Sequence, residues 1–270
     1  MVFYPIIDKY SKTEVLAKLK DSKIIIPTVS FANVPQLAID LLISNLDTIK
    51  IGRLDDQYVY PFISSIDPPV SSTENVKIEG VCTSLEVYYS EKYNLTLLQQ
   101  RSPILPEFKL QFLTNVLVPF LTDIGKFQEI VVLNSENLVS NYDDYITNNI
   151  SIYYSLDLLD VKFKLLEIND ANNNKNQIYK DISQTKDQFV KAVHQAMVEK
   201  DAINTNKISS IVIHVFEGDN FQDGVYFYQE ILKFCEIASP HNHQLIKPYS
   251  WLGFYGDKPI PSSIEEGIFG

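Results

Sequence analysis

A chain of 270 residues with 45% hydrophobic side chains is long enough to bury a full core, and no Pro-, Gly- or Ser-rich linker divides it into two domains. Its formal charge of -11 and pI near 4.8 exclude a nucleic-acid backbone or an anionic membrane as principal partner, because both repel a net-negative surface without a basic patch. No stretch of about 20 apolar residues occurs, and Asp8, Lys9, Lys12 and Glu14 interrupt the first apolar positions, so a soluble, intracellular protein is expected.

In chain order, Ser11 with Glu14 forms a capping-box pattern that opens a short helix, and the β-branched run Lys23 to Val29 reads as a strand. Pro35 suits the first turn of the next helix. Leu37, Ala38, Leu41 and Leu42 recur there at helical spacing and predict one buried face. A strand follows at Thr48 to Arg53, then a surface loop at Asp67, Pro68, Pro69 and the serines after them. Leu85 to Tyr89 and Leu95 to Gln99 predict a hairpin turning near Tyr93 and Asn94. Phe108 to Leu121 predicts an amphipathic helix that must adapt at Pro119, and Glu129 to Leu133 a short apolar strand at the sheet centre. Asp170 to Gln177 is an Asn-rich loop, Asp187 to Val198 a helix, Ile208 to Phe216 the strongest strand, and Val225 to Ile237 the helix after it. The sum is an α/β fold with a mixed central β-sheet flanked by helices. Its expected divisions are an N-terminal extension with a short helix over 1–22, the α/β domain over 23–256, and an extended tail over 257–270.

Motifs of cofactor and phosphate chemistry are missing: no GxGxxG, P-loop, GxSxG or HExxH occurs, and the nine glycines are scattered. Neither a cofactor nor a metal is expected. His241 and His243, near Cys235, read as a solvated loop after Pro240 because no carboxylate cluster completes a ligand set. His214 reads as a core imidazole within an apolar strand. Cys82 and Cys235 lack CxxC spacing, which suits two reduced, buried thiols, and the sequons at Asn94 and Asn149 are then incidental.

Glu217, Gly218, Asp219 and Asn220 lie where a strand gives way to a helix, an edge at which open α/β sheets place ligands. The plainer reading gives Gly218 the turn and Asp219 or Asn220 the helix cap. Trp251, followed by Phe254, Tyr255 and Gly256, is either an interface anchor or a late segment packed over the core. Ile268, Phe269 and Gly270 place an aliphatic side chain, an aromatic ring and a carboxylate in a row, a combination suited to a partner's pocket. The alternative for Phe269 is to fold back onto its own domain.

The segment Ile26-Pro27-Thr28-Val29-Ser30-Phe31-Ala32-Asn33-Val34-Pro35-Gln36-Leu37-Ala38-Ile39-Asp40, then Gln99-Gln100-Arg101-Ser102-Pro103, Glu217-Gly218-Asp219-Asn220, and Ser250-Trp251 to Tyr255-Gly256, in that order, resemble the proteasome assembly chaperone 2 family. The resemblance implies a non-enzymatic chaperone that pairs with proteasome assembly chaperone 1, holds α-subunit intermediates of the 20S core particle and covers the outer face of the α ring. It implies a nucleoside phosphorylase-like fold without that chemistry, in the cytoplasm and possibly the nucleus. It also implies that Ile268, Phe269 and Gly270 correspond to a hydrophobic-tyrosine-any-residue ending that enters pockets between α subunits, with Phe269 in place of the tyrosine. The competing class is a phosphorylase-like or hydrolase-like enzyme on the same fold, since fold alone does not fix function.

Overall fold

Four parallel strands run side by side through the middle of one nine-stranded sheet, and helices cover both of its faces. The computed structural model describes residues 2–6, 10–66, 80–138, 149–155, 178–199, 207–238 and 245–251. Its strands are β1 (Phe3–Pro5), β2 (Lys23–Pro27), β3 (Ile49–Leu54), β4 (Ile63–Ser65), β5 (Val81–Thr83), β6 (Leu85–Ser90), β7 (Leu95–Gln100), β8 (Glu129–Asn137), β9 (Ile150–Tyr154), β10 (Ile178–Asp181) and β11 (Lys207–Val215). The large sheet has the order β1-β3-β6-β7-β2-β8-β11-β9-β10, and β4 and β5 make a separate two-stranded ribbon. The pairs β7/β2, β2/β8 and β8/β11 are parallel, whereas β6/β7 and β11/β9 are antiparallel. This is the mixed, helix-flanked sheet expected from the sequence.

Local chemistry accounts for most elements. Helix α1 (Lys12–Leu19) starts on the expected capping box: the Ser11 backbone N–H donates to Glu14 Oε2 at 2.7 Å and the Glu14 N–H donates to Ser11 Oγ at 3.3 Å. In the hairpin between β6 and β7, Asn94 adopts φ 46°, a left-handed turn conformation that asparagine tolerates. Helix α2 (Val34–Asn45) carries Pro35 in its first turn and buries Ala38, Leu41 and Leu42 as predicted. The Pro119 helix, α3 (109–125), runs as an α-helical turn over Lys109–Phe112 and widens to π-helical turns at Leu113–Leu117 and Phe120–Gly125. A proline donates no N–H and its ring crowds the preceding turn, and widened turns on either side relieve both. The last helices are α4 (Gln188–Glu199) and α5 (Phe221–Phe234).

Several boundaries differ from the reading: the strand expected over Lys23 to Val29 ends at Pro27, and the helix expected over Phe108 to Leu121 runs on to Gly125. The strand expected over Glu129 to Leu133 continues to Asn137, because β11 pairs with it along its whole length and stabilises Asn134, Ser135 and Glu136 in extended form despite their polarity. The helix expected from Val225 to Ile237 begins at Phe221 and ends at Phe234, since Asp219 accepts from the Phe221 N–H and opens the first turn earlier. Within residues 1–22, β1 pairs antiparallel with β3, and Val15 and Leu19 of α1 are buried.

The core has two layers. Ile24, Ile26, Val132 and Val212 join α1, α3 and α4 through Leu19, Phe120 and Val193. On the opposite face Ile25, Val131 and Ile211 join α2 and α5 through Leu41 and Phe227. Gly224 permits the close approach of α5 to α2, for a Cβ there would lie 2.9 Å from Leu37 Cβ.

Candidate functional site

Strand alternation builds the site. Along β2, β7, β8 and β11, the side chains under α3 and α4 include apolar Ile24 and Ile26, Leu98, Ile130 and Val132, Ile208 and Val212, with Thr96 and Ser210 as buried polar exceptions. At the carboxyl end of each strand the next position on the same face turns polar, giving Thr28, Gln100, Asn134 and His214. Because these four strands are parallel, the polar positions collect on one edge, where open α/β sheets place their ligands.

That edge floors a cleft of about 750 Å³. Thr28, Gln100 and Asn134 line its base, Pro106, Lys109, Leu110 and Leu113 at the start of α3 form one wall, and Asp187, Phe189 and Ala192 at the start of α4 form the other. A second depression of about 380 Å³ adjoins it through Val29, Gln100 and Pro103 and continues to Phe62. Leu110 is 67% exposed, and Val29 and Phe62 are also exposed, so the rim presents large apolar surfaces to solvent. The two-stranded β4/β5 ribbon adds exposed Ile63 and Val81.

The base is held by a polar network. Thr28 Oγ1 lies 3.0 Å from Leu133 O and 2.9 Å from Asn134 Oδ1, and Asn134 Oδ1 also accepts from the Ser135 N–H at 2.8 Å. Gln36 Nε2 donates to Thr28 O at 3.0 Å. The chain then passes through Ala32 and Asn33 at φ 55° and 52°, two successive left-handed residues without glycine. Ser135 secures this turn: its N–H donates to Ser30 Oγ at 3.0 Å and its hydroxyl donates to Phe31 O.

Charges are paired. Buried Glu86 receives the Lys50 ammonium, the Thr83 N–H at 3.0 Å and the Tyr88 hydroxyl at 3.0 Å, with Arg101 Nε at 3.4 Å. Arg101 also faces Asp40 at 3.4 Å, and Gln99 Nε2 donates to the same carboxylate at 2.6 Å. Burial works against the Arg101 charge, but Asp40 first and then other partners including Glu86 hold the guanidinium above its usual range. At the other wall, burial pushes the Asp187 carboxyl up, partly opposed by the N–H groups of Phe189 and Val190 that it accepts at 2.7 and 3.3 Å. Buried His214 has Nδ1 3.8 Å from Glu136 Oε2, a partner the sequence did not reveal. Among the described residues no group of three His, Cys, Asp or Glu side chains is placed to hold a metal, and no helix is long and apolar enough to cross a membrane. The cleft combines largely apolar walls that also carry Lys109 and Asp187 with a buried hydrogen-bonding floor and an apolar rim.

Of the segments singled out in the sequence, Ile26 to Asp40 and Gln99 to Pro103 contribute Thr28, Val29, Ser30, Gln100 and Pro103 to the cleft, and the others fall elsewhere. Ile268, Phe269 and Gly270 lie outside the described residues, as do His241, His243, the loops at Asp67 to Pro69 and Asp170 to Gln177, and Phe254 to Gly256. Glu217, Gly218 and Asp219 are exposed beyond β11 and do not line the cleft. Asp219 Oδ1 accepts from the Phe221 N–H at 3.2 Å, while Asn220 Nδ2 donates to Phe216 O and Asp223 Oδ2, each at 2.8 Å, which makes the segment a turn and helix start. Trp251 is buried edge-on against Phe221 at 4.9 Å, so it packs over the core. Neither Cys82 nor Cys235 is in a disulfide; Cys82 is buried, but Cys235 is only partly so, because it sits at the end of α5.

This architecture has known counterparts. The model described as the PAC2 family matches residues 24–149, a span that holds Thr28, Gln100 and Asn134. Its fold is shared by PbaA of Pyrococcus furiosus, an archaeal homolog of proteasome-assembly chaperone (TM-score 0.56, 12% identity, covering 81% of this chain and 83% of that one), and by a protein of unknown function from Thermoplasma acidophilum (TM-score 0.56, 13% identity, 89% and 86%).

More particularly, the chain is similar to proteasome assembly chaperone 2 of Saccharomyces cerevisiae, at 25% identity over 256 residues, 87% of this chain and 95% of that protein. It is likewise similar to the Xenopus laevis protein of the same name, at 24% over 252 residues, 89% and 94%. The Danio rerio counterpart is 32% identical over 133 residues, 49% of each chain.

Proposed function

We propose that this chain is a proteasome assembly chaperone that acts without catalysis. The observation that carries the reading is the alignment with yeast proteasome assembly chaperone 2 over 87% of this chain. In this reading it forms a heterodimer with proteasome assembly chaperone 1 and attaches to the outer face of the 20S α ring, in the cytoplasm and nucleus. Ile268, Phe269 and Gly270 enter a pocket between α subunits, with Phe269 supplying a buried ring and the Gly270 carboxylate an ionic contact. A ring buried this way contributes about 1.5 to 3 kcal/mol, while ordering each backbone residue costs about 1 to 2 kcal/mol. The tail alone therefore binds weakly, and linkage to a dimeric body raises its effective concentration at the pocket. The exposed apolar rim of the cleft supports a protein-binding role, since contiguous exposed apolar surface marks interaction sites.

Coexpression with the partner chaperone followed by α-ring pull-down tests this. A one-to-one complex is expected, and deletion of Ile268 to Gly270, or extension beyond Gly270, is expected to reduce α-ring recovery without disturbing the heterodimer. Undiminished recovery by both altered proteins refutes the tail's role. A well-behaved monomer that ignores the partner refutes the heterodimer.

A further inference from the structure

We infer that the cleft at the carboxyl edge binds an extended, uncharged peptide segment with aliphatic side chains, presented by another protein. Two buried amides carry the inference. Asn134 is only 4% exposed, and its Oδ1 is turned inward onto Thr28 Oγ1 and the Ser135 N–H. Those donors fix the amide orientation, because a flip would set the Asn134 NH2 against the Ser135 N–H. Nδ2, which has no hydrogen-bond partner among the described residues, is the group left for the cleft that Asn134 lines. Gln100 is 3% exposed and donates from Nε2 to Ser102 O at 3.0 Å, which leaves Oε1 as the cleft's unpaired acceptor.

A donor and an acceptor are thus offered from β8 and β7, the strands on either side of β2. Strands two places apart lie about 10 Å from one another, the length of about three extended residues. A peptide main chain crossing the strand ends gives a carbonyl to Asn134 Nδ2 and an N–H to Gln100 Oε1. Its alternate side chains meet Leu113 and Phe189 on the walls.

Other ligand classes fit less well. The lining sets the Glu136 and Asp187 carboxylates against the Lys109 and Lys186 ammonium groups, so it carries no net charge that would favour a phosphate or other anion. A small metabolite would not call for a rim with Leu110 67% exposed beside exposed Val29. The rim and the adjoining depression toward Phe62 suit a chain that enters and leaves. This inference deepens the chaperone reading by assigning it a second contact, independent of Ile268, Phe269 and Gly270.

The test titrates the full-length, isotope-labelled protein with the capped pentapeptide acetyl-Gly-Leu-Val-Leu-Gly-amide and follows amide and methyl resonances. Saturable shifts are expected at the Asn134 side-chain amide and at Leu110, Leu113 and Phe189. Asn134→Asp keeps the inward acceptor but replaces the outward donor with an oxygen, and is expected to weaken binding at least about fivefold. Leu110→Glu, at an exposed position that does not hold the fold, is expected to do the same, and remains decisive if Asn134→Asp lowers stability. Tyr226→Ser, on α5 across the sheet, is expected to leave binding unchanged. Binding equal in all four proteins, or no saturable shift up to about 5 mM peptide, overturns the inference. So does peptide-independent self-association abolished by Leu110→Glu, which would assign the cleft to a second copy of the chain. None of these outcomes depends on α-ring capture, so this inference and the tail's role fail separately.

Discussion

The Thr28 hydroxyl lies 2.9 Å from Asn134 Oδ1, so the residue that follows β2 sets the direction of a side chain on the neighbouring strand β8. Thr28→Val removes that donor while keeping shape. Asn134 Oδ1 retains the Ser135 N–H, and Leu133 O retains the Thr28 N–H at 2.9 Å, so neither acceptor is orphaned. The expected loss is therefore near the ordinary value of one hydrogen bond, about 1 kcal/mol, read as a lower urea midpoint at unchanged slope. A loss of more than about 3 kcal/mol would mean that the strained turn at Ala32 and Asn33 depends on this bond.

Glu86 is the charge on which the β3/β6/β7 region turns, its side chain fully buried and met by Lys50 and Arg101. Glu86→Ala leaves both cations facing an apolar gap, and removing one partner of a buried pair costs about 3 to 5 kcal/mol. Asp40 stays beside Arg101, which places the expected loss at the lower end of that range. Chemical denaturation checks it; a loss below about 1 kcal/mol would show that Lys50 and Arg101 find water instead.

Asp219 and Asn220 make different contributions to one turn. Asp219→Ala removes a single exposed acceptor and is expected to cost about 0.5 kcal/mol, whereas Asn220→Ala strips two 2.8 Å bonds from a buried side chain and is expected to cost about 1 to 2 kcal/mol. Any loss of α-ring capture is expected to follow the folded fraction in both variants. Unchanged melting with abolished capture would make the turn a binding site.

His194 on α4 supplies a pH dependence. Burial holds its imidazole below the usual range, with Asp181 pulling the other way. The unfolded chain therefore takes up this proton first as pH falls. The stability it contributes is present above the ordinary imidazole pKa of about 6.5 and is lost as pH drops from there toward the lower folded value. His194→Gln is expected to flatten the stability curve as pH falls below about 6.5. An identical slope in mutant and parent would refute the assignment.

What the sequence determined by itself was local. The Ser11 and Glu14 pair, Pro35, the turn at Asn94 and the apolar runs of β2 and β11 each carry their structural consequence within a few residues, so their elements were legible. The resemblance to proteasome assembly chaperone 2 was legible in Ile26 to Asp40, Gln99 to Pro103, Glu217 to Asn220 and Ser250 to Gly256. The tertiary structure decided which polar residues work together. Asn134 and Glu136 lay beyond the strand expected over Glu129 to Leu133, and pairing with β11 along the whole of β8 brought them into it. Thr28, Gln100 and Asn134, up to 106 positions apart in the chain, meet because three parallel strands end at one edge. No periodicity within a segment encodes that meeting, since strand order and direction arise from the long-range pairing of strands that are distant in sequence.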